Sequence, residues 1–224
     1  MKVVSYLKSV PRANSNDQKT LLLKHFVQGV NAAGDDGILH DGDNLINSDV
    51  GVIQGWVYDK KTTPHLKLRD DVINHQRITG KHVCCADANL FLYANKVNPH
   101  GYLRYSFNGI FPTTGEYCDT HIDPNRWNII SRDTGIQLQP TIRKGKFIVL
   151  MMQRNGGWSM KGLDVQEWAI QTINRIRKHS DRPIVVRAHP GDKAAHQYLN
   201  HRTSRLARMR GVRISEFGTP LEQD

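Results

Sequence analysis

The sequence predicts an α/β protein built on parallel sheets, and three observations support this class. Short apolar runs alternate along the 224 residues with longer amphipathic segments, which is the pattern of strands connected by helices. The run FIVLMM at 147–152 is apolar throughout, as expected of a strand covered on both faces. Hydrophobic residues make up 38% and charged residues 23% of the chain, a composition typical of a folded protein.

The first half of the chain, residues 1–143, is predicted to form one domain. Its expected elements are a strand at 2–7, an amphipathic helix at 18–30, a short strand within 34–44, a strand at 50–58, a helix at 66–80 and a strand at 82–86. The helix at 66–80 is expected to end at Gly80. Residues 88–143 are rich in Gly, Pro, Asn and aromatic residues, which predicts long loops with short elements.

The second half, residues 144–224, shows a sharper pattern. Its expected elements are a strand at 146–152, a helix starting after Asp164, a strand at 184–187, a helix over about 192–209 and a strand at 212–215. Asp164 precedes Glu167 by three positions, which is the spacing of a capping box. The order βαβαβ corresponds to half of a doubly wound sheet.

Charge and cysteine content narrow the classes of partner and compartment. The formal net charge of +10 favours polyanionic partners such as nucleic acid, an acidic polysaccharide or nucleotide phosphates; a basic surface kept for solubility is the alternative. The N-terminus has no apolar segment of a signal peptide, and no apolar run is long enough to span a bilayer. Cys84, Cys85 and Cys118 have no zinc-ligand spacing, and no other metal motif occurs, so we expect a cytoplasmic protein without a metal.

Two polar loops are expected beyond the carboxyl ends of the second half's strands, where ligands bind in parallel α/β sheets. The candidate phosphate-binding residues are Gln153, Arg154, Asn155, Gly156 and Gly157 in one loop and Arg187, His189, Pro190 and Lys193 in the other. Pro190 would stop the strand, and a helix starting near Asp192 would offer free N–H groups and a positive dipole end to an anion. His189 would add a directional donor, and Arg187 or Lys193 a permanent charge.

These loops also have a purely structural interpretation. His189 would then cap a helix, and Pro190 and Gly191 would make an ordinary turn. Trp158 would pack on the helix below instead of stacking on a ligand ring. The chain contains neither a Walker motif nor a GxGxxG fingerprint.

The order of a buried strand ending at Gln153, a long helix and RPIVVRAHP resembles a family of enzymes. It is similar to nucleotide-sugar glycosyltransferases of GT-B architecture that carry an HP motif, best known from capsular-polysaccharide synthesis. The stretch from GKFIVLMM to RAHPGDK also resembles glycosyltransferase-like proteins of tailed bacteriophages. The likeness covers residues 133–193 well and the preceding residues weakly.

The resemblance implies two Rossmann-like halves, the first binding the acceptor and the second binding the donor. It makes His189 the phosphate-binding histidine and places Gln153 at the end of the preceding strand of the donor site. For the catalytic base it leaves Asp87, expected just after the strand at 82–86; Asp87 could equally cap a helix in ANLFLYAN. Members of this family continue with a serine-rich turn and a helix, so the second half is expected to be incomplete.

The function expected from these features is transfer of a sugar from a nucleotide-sugar donor to an acceptor hydroxyl, without a further cofactor. Modified phage DNA and a polysaccharide are the candidate acceptors. The alternatives are a non-catalytic module that binds nucleotides or DNA, and a nucleotide-sugar epimerase. An open sheet edge in the second half would call for a homo-oligomer or a second chain that covers it.

Overall fold

The chain divides into two compact units, Met1–Leu138 and Gln139–Asp224, and each contains its own sheet. A computed structural model describes residues 1–11, 18–57, 62–88, 103–111, 114–117, 120, 123–141, 145–157, 160–199, 204–216 and 218–219. The predicted α/β class is confirmed, because both sheets are mainly parallel and carry helices. The unit boundary lies a few residues before the one predicted after residue 143; the acceptor and donor roles of the halves stay predictions.

Unit 1 is a five-stranded sheet in the order β2-β1-β3-β4-β5. Its strands are β1 (Lys2–Tyr6), β2 (Asp36–His40), β3 (Val50–Gln54), β4 (His82–Ala88) and β5 (Leu103–Phe107), and its helices are α1 (Gln18–Ala32), α2 (Pro64–Ile78) and α3 (Asn125–Thr134). The first four strands are parallel, and β5 pairs antiparallel with β4.

The alternation of side chains along β1 shows how this sheet is covered. Val3 belongs to the apolar cluster that includes Leu23 of α1, whereas Val4 belongs to the cluster that includes Leu68 and Val72 of α2. Successive strand residues point to opposite faces. The two helices therefore cover the two faces of the sheet, and all five residues of β3 are buried between them.

Unit 2 is a three-stranded parallel sheet in the order β6-β7-β8. Its elements are β6 (Ile148–Met151), α4 (Val165–Arg177), β7 (Ile184–Arg187), α5 (Ala195–Tyr198) and β8 (Val212–Ile214). The predicted start of α4 is confirmed, because the Asp164 carboxylate accepts a hydrogen bond of 2.9 Å from Glu167 N. Val165, Ala169 and Ile173 of α4 are fully buried against the strands.

The predicted helix over 192–209 is wrong. Within the described residues, α5 is four residues long, and a 3-10 helix at Leu206–Arg208 precedes β8. The Asp192 carboxylate accepts from Ala194 N at 3.1 Å, and short polar side chains bonded to a nearby backbone N–H favour turns over helices. In the described residues the turn at 189–191 is therefore followed by a second turn, and the four-residue α5 begins only at Ala195.

No helix in the described part of the chain has both the length and the apolar character needed to cross a membrane.

Candidate functional site

A pocket of about 570 Å³ opens at the carboxyl ends of the three strands of unit 2. It is lined by Met151, Met152, Gln153, Arg187, Ala188, His189, Pro190, Ser215, Glu216, Gly218 and Thr219. Three short segments, one after each strand, supply this lining. The position matches the rule that parallel α/β sheets bind ligands beyond the carboxyl ends of their strands.

His189 presents a defined donor to this pocket. Gly191 N donates to His189 Nδ1 at 2.9 Å, so the neutral ring carries its proton on Nε2. Among the described residues, Nε2 has no protein partner. The turn after β7 thus fixes the ring's tautomer through its own backbone and leaves the Nε2–H for a ligand.

Arg187 ends β7 and holds in place the segment after β8, which lines one side of the pocket. Its guanidinium donates to Ser215 Oγ at 3.5 Å and to the Thr219 carbonyl at 2.5 Å. The segment after β8 closes into a turn, in which Thr219 N donates to the Glu216 carbonyl at 3.2 Å and Gly218 has a φ of +91°. The sequence analysis did not assign the residues after β8 to the site. The signal that could have found them is the polar character of the residues directly after the strand VRIS.

Asp192 joins the two predicted loops although it was assigned no ligand role. Its side chain is buried, and Oδ2 accepts from Asn155 N at 2.8 Å and from the Tyr198 hydroxyl, while Oδ1 accepts from Ala194 N. The carboxylate thereby fixes the loop after β6 relative to the turn after β7. The partners lie 37 and 6 residues away, so no local sequence signal marks this network.

These contacts shift the pKa values of both side chains. Burial by itself raises the pKa of Asp192, but the hydrogen bonds from Tyr198, Asn155 N and Ala194 N bring it below its usual range. Burial and the hydrogen bond to Asp192 raise the pKa of Tyr198. At neutral pH the pair is therefore a carboxylate and a neutral phenol.

The loop after β6 is organised mainly by its own hydrogen bonds. Gly157 N donates to the Arg154 carbonyl at 3.1 Å, and Asn155 Oδ1 accepts from Gly156 N at 3.2 Å and from Val165 N at 3.3 Å. Gly156 has a φ of +68°, a conformation that favours glycine. The two glycine N–H groups thus stabilise the loop in this structure.

The predicted phosphate-binding residues fall into two groups. Gln153, Arg187, His189 and Pro190 line the pocket together. Asn155 acts through its bonds to Asp192 and to the start of α4. The remaining candidates, which are described but do not line the pocket, are Arg154, Gly156, Gly157 and Lys193. Trp158 lies outside the described residues.

Comparisons with known proteins leave the family open. No protein-family model and no curated protein sequence matches the chain. Among solved structures, the chain is similar to Thermosulfurimonas dismutans KpsC, a beta Kdo 2,4 transferase, with 14% identity, 96% of this chain and 68% of that chain covered, and a TM-score of 0.45. At that identity and TM-score the similarity assigns no function to the chain.

Asp87 lies inside β4 rather than after it, which corrects the predicted position. It faces Arg104 across the antiparallel pair β4–β5, and Arg104 Nη2 donates to Asp87 Oδ2 at 2.7 Å. The alternative of a helix cap involves ANLFLYAN, whose residues 89–95 lie outside the described residues. A base at this position would first have to release the guanidinium.

Other titratable groups do not form a metal site. Within the described ranges, no group of three or more His, Cys, Asp or Glu side chains is placed to hold a metal ion. Cys84 and Cys85 are buried free thiols in β4, and Cys118 is not among the described residues. Burial raises the pKa of Cys85, so this thiol is protonated and unreactive at neutral pH.

Proposed function

We propose that the chain is a glycosyltransferase whose second unit binds a nucleotide-sugar donor. The observation that carries this proposal is the His189 Nε2–H, fixed in its tautomer and presented to a pocket at the carboxyl ends of three parallel strands. The pocket volume of about 570 Å³ lies within the range of small-molecule sites. The resemblance of RPIVVRAHP to HP-motif glycosyltransferases supports the same assignment.

The donor's phosphates would lie against the turn after β7. His189 would donate from Nε2 to a phosphate oxygen, and the Arg187 guanidinium would supply positive charge from the pocket wall. Sugar transfer leaves negative charge on the departing phosphate, and donors already held in place stabilise that charge without reorganisation. The bond from Gly191 N to Nδ1 gives His189 this fixed orientation.

The other two strand ends offer contacts for the rest of the donor. Glu216 lines the pocket after β8, where a carboxylate can accept hydrogen bonds from ribose hydroxyls. Gln153 lines it after β6, where an amide can both donate and accept. Phosphate donors at the end of β7 and a hydroxyl acceptor at the end of β8 match the polarity of a nucleotide.

The acceptor is proposed from charge and resemblance. A net charge of +10 favours an acidic acceptor, either modified phage DNA or an acidic polysaccharide. If DNA is the acceptor, its affinity should fall steeply as salt rises, because binding releases counterions from the phosphates. Affinity that does not change with salt would exclude a role of this charge in DNA binding.

A non-catalytic nucleotide-binding module is the second candidate, and the Asp87–Arg104 ion pair favours it. A carboxylate already bonded to a guanidinium at 2.7 Å is poorly placed to take a proton from an acceptor hydroxyl. Such a module would keep the pocket of unit 2 and bind nucleotides without turning over a nucleotide sugar.

The test is His189→Ala, with His196→Ala as the matched control because His196 is exposed on the same unit. We expect His189→Ala to weaken binding of nucleoside diphosphates about tenfold, the value of one hydrogen bond to a charged group, measured by calorimetry. Sugar transfer from a panel of nucleotide sugars should fall together with this affinity, while His196→Ala should keep both the affinity and the transfer activity. Unchanged affinity in His189→Ala would overturn the proposed donor site; binding without turnover in the wild type would establish the second candidate.

A further inference from the structure

Unit 1 contains a buried cation at the carboxyl edge of its sheet. Arg69 of α2 is only 6% exposed. Its Nε and Nη2 donate to the Ser9 carbonyl at 2.9 and 2.8 Å, and Nη2 also donates to Gln54 Oε1 at 2.9 Å. Ser9 follows β1 and Gln54 ends β3, so the guanidinium lies where parallel sheets bind ligands.

The residues that hold Arg69 are themselves fixed. Ser9 Oγ donates to the Tyr6 carbonyl at 2.6 Å and accepts from Gln54 N at 2.9 Å. Both hydrogens of Nη2 and the hydrogen of Nε are therefore used by a rigid frame of neutral oxygens. The position of the guanidinium is set before any ligand arrives, which reduces the entropic cost of binding one.

The other end of the guanidinium, Nη1, has no acceptor in the part of the chain that the structure describes. Among the described residues, Arg69 Nη1 has no hydrogen-bond partner, and no carboxylate forms an ion pair with Arg69. Asp87 acts on Arg69 only through its charge, because Asp87 Oδ2 accepts from Arg104. Arg69 Nη1 is not among the buried side-chain atoms that lack a hydrogen-bond partner, so it is open to solvent and a ligand can reach it.

The charge persists at neutral pH. Burial lowers the pKa of Arg69 to about 10, while its interactions with Cys85 and Asp87 raise it. The guanidinium is therefore protonated under physiological conditions and carries a positive charge that an oxyanion can balance.

Gly55 explains why the guanidinium can occupy this place. Its φ is +72°, and a Cβ added there would lie 3.0 Å from Arg69 Nη1 and 3.4 Å from Cζ. Any other residue would push against the charged group and strain the backbone. Gly55 therefore places no side-chain atom of its own against Nη1 at the end of β3.

We propose that Arg69 anchors an oxyanion-binding site in unit 1, at which Nη1 receives a carboxylate or phosphate group of a ligand. The charges of the described residues are compatible with an anion, since the guanidinium groups of Arg69 and Arg104 interact there with one carboxylate, Asp87. The site rests on unit 1 alone and is independent of the donor pocket. If unit 1 binds the acceptor, the site selects an acceptor that carries an acidic group.

The experiment measures the stabilisation of the full chain by inorganic phosphate and by glucuronate at constant ionic strength, with glucose as the uncharged control. Arg69→Gln is compared with Arg77→Gln, which removes the same charge from an exposed position of the same helix. We expect Arg69→Gln to weaken the apparent affinity for the effective anion about tenfold, and Arg77→Gln to leave it unchanged. Stabilisation by glucuronate would identify a carboxylate as the recognised group, and stabilisation by inorganic phosphate would identify a phosphate.

Equal responses of the two variants to both anions would overturn the proposal, because Arg69 would then only connect β1 to β3. If Arg69→Gln does not fold, the Nε–H resonance of Arg69 in the wild-type protein gives the answer. This hydrogen is bonded to Ser9 O, so its signal should be protected from exchange, and it should shift with a saturating anion. An unmoved signal would exclude the site.

Stabilisation by anions and binding of nucleoside diphosphates are both measured in His189→Ala as well. We expect this variant to bind nucleoside diphosphates about tenfold more weakly and to keep the Arg69-dependent response, so failure of the donor site and failure of the oxyanion site give different results. Loss of the Arg69-dependent response in His189→Ala would overturn the independence of the two sites.

Discussion

Replacing Asp192 by Asn tests whether this carboxylate holds the donor pocket together. Asp192 is 4% exposed and accepts from three donors, two at Oδ2 and one at Oδ1. An Asn side chain keeps one oxygen, so at least one donor loses its acceptor and the other bonds become neutral. With about 1.5–3 kcal/mol for a lost bond to a charged group, and weaker remaining bonds, the free energy of unfolding should fall by about 3 kcal/mol.

The pH dependence of this loss identifies its cause. The folded-state pKa of Asp192 is lowered, so its charge stabilises the fold above the unfolded-state pKa, and this stability disappears as pH falls through the folded-state pKa. The difference between wild type and Asp192→Asn should therefore be largest at neutral pH and shrink in the acid range below the usual pKa of an aspartate.

The free energy of unfolding is measured by urea unfolding, monitored through hydrogen exchange. Peptides from α4 and β7 are analysed, because their exchange reports on unit 2 by itself. Asp181→Asn, an exposed carboxylate of the same unit, controls for the change in net charge. Tyr198→Phe removes one of the three donors to the charged carboxylate and should cost about 1.5 kcal/mol, the lower end of that range, because two donors remain. A loss for Asp192→Asn that is the same at every pH, or no larger than that of Asp181→Asn, would refute this reasoning.

Three further predictions concern the same unit. Gly156→Ala should lower the free energy of unfolding by about 1 kcal/mol, since φ is +68° while the space around a Cβ is open; a much larger loss in thermal unfolding would mean an unrecognised clash. Arg187→Met should increase hydrogen exchange in residues 215–219, because the guanidinium bonds to Ser215 and Thr219 are lost; unchanged exchange would contradict its positioning role. Val149 is an exposed apolar residue of the edge strand β6, so Val149→Lys should shift any oligomer that covers this edge to the monomer in light scattering; an unchanged mass would exclude that surface.

The strands of unit 2 were predictable because short apolar runs bounded by polar loops, FIVLMM and IVVR, mark them in the sequence. IVVR forms a strand whose apolar residues are all buried, but the expectation that FIVLMM is covered on both faces is wrong, because Val149 and Met151 are exposed. The position of His189 followed from the strand before it. The tautomer of its ring did not, because it depends on a bond from Gly191 N that exists only in the folded turn.

The predictions that were wrong concern features that depend on contacts between residues far apart in the chain. β4 continues through Asp87 because β5, 17 residues further along, pairs with it at Arg104. The helix expected over 192–209 has favourable composition, but Asp192 is drawn into a buried network with Asn155 and forms a turn instead. Nothing in the sequence marked Arg69 as a candidate site residue, because it occupies what the pattern predicts to be a polar position of an amphipathic helix.

Arg69 and Arg104 together change how Asp87 should be judged as a base. Asp87 Oδ2 accepts from Arg104 Nη2 at 2.7 Å, and the charge of Arg69 acts on the same carboxylate, so an acceptor hydroxyl would have to displace Arg104 before it could bond to that oxygen. An acidic group bound at Arg69 Nη1 would balance one of these two positive charges. The proposed oxyanion site and a catalytic role for Asp87 therefore involve the same three charged groups, Arg69, Arg104 and Asp87, and a test of one bears on the other.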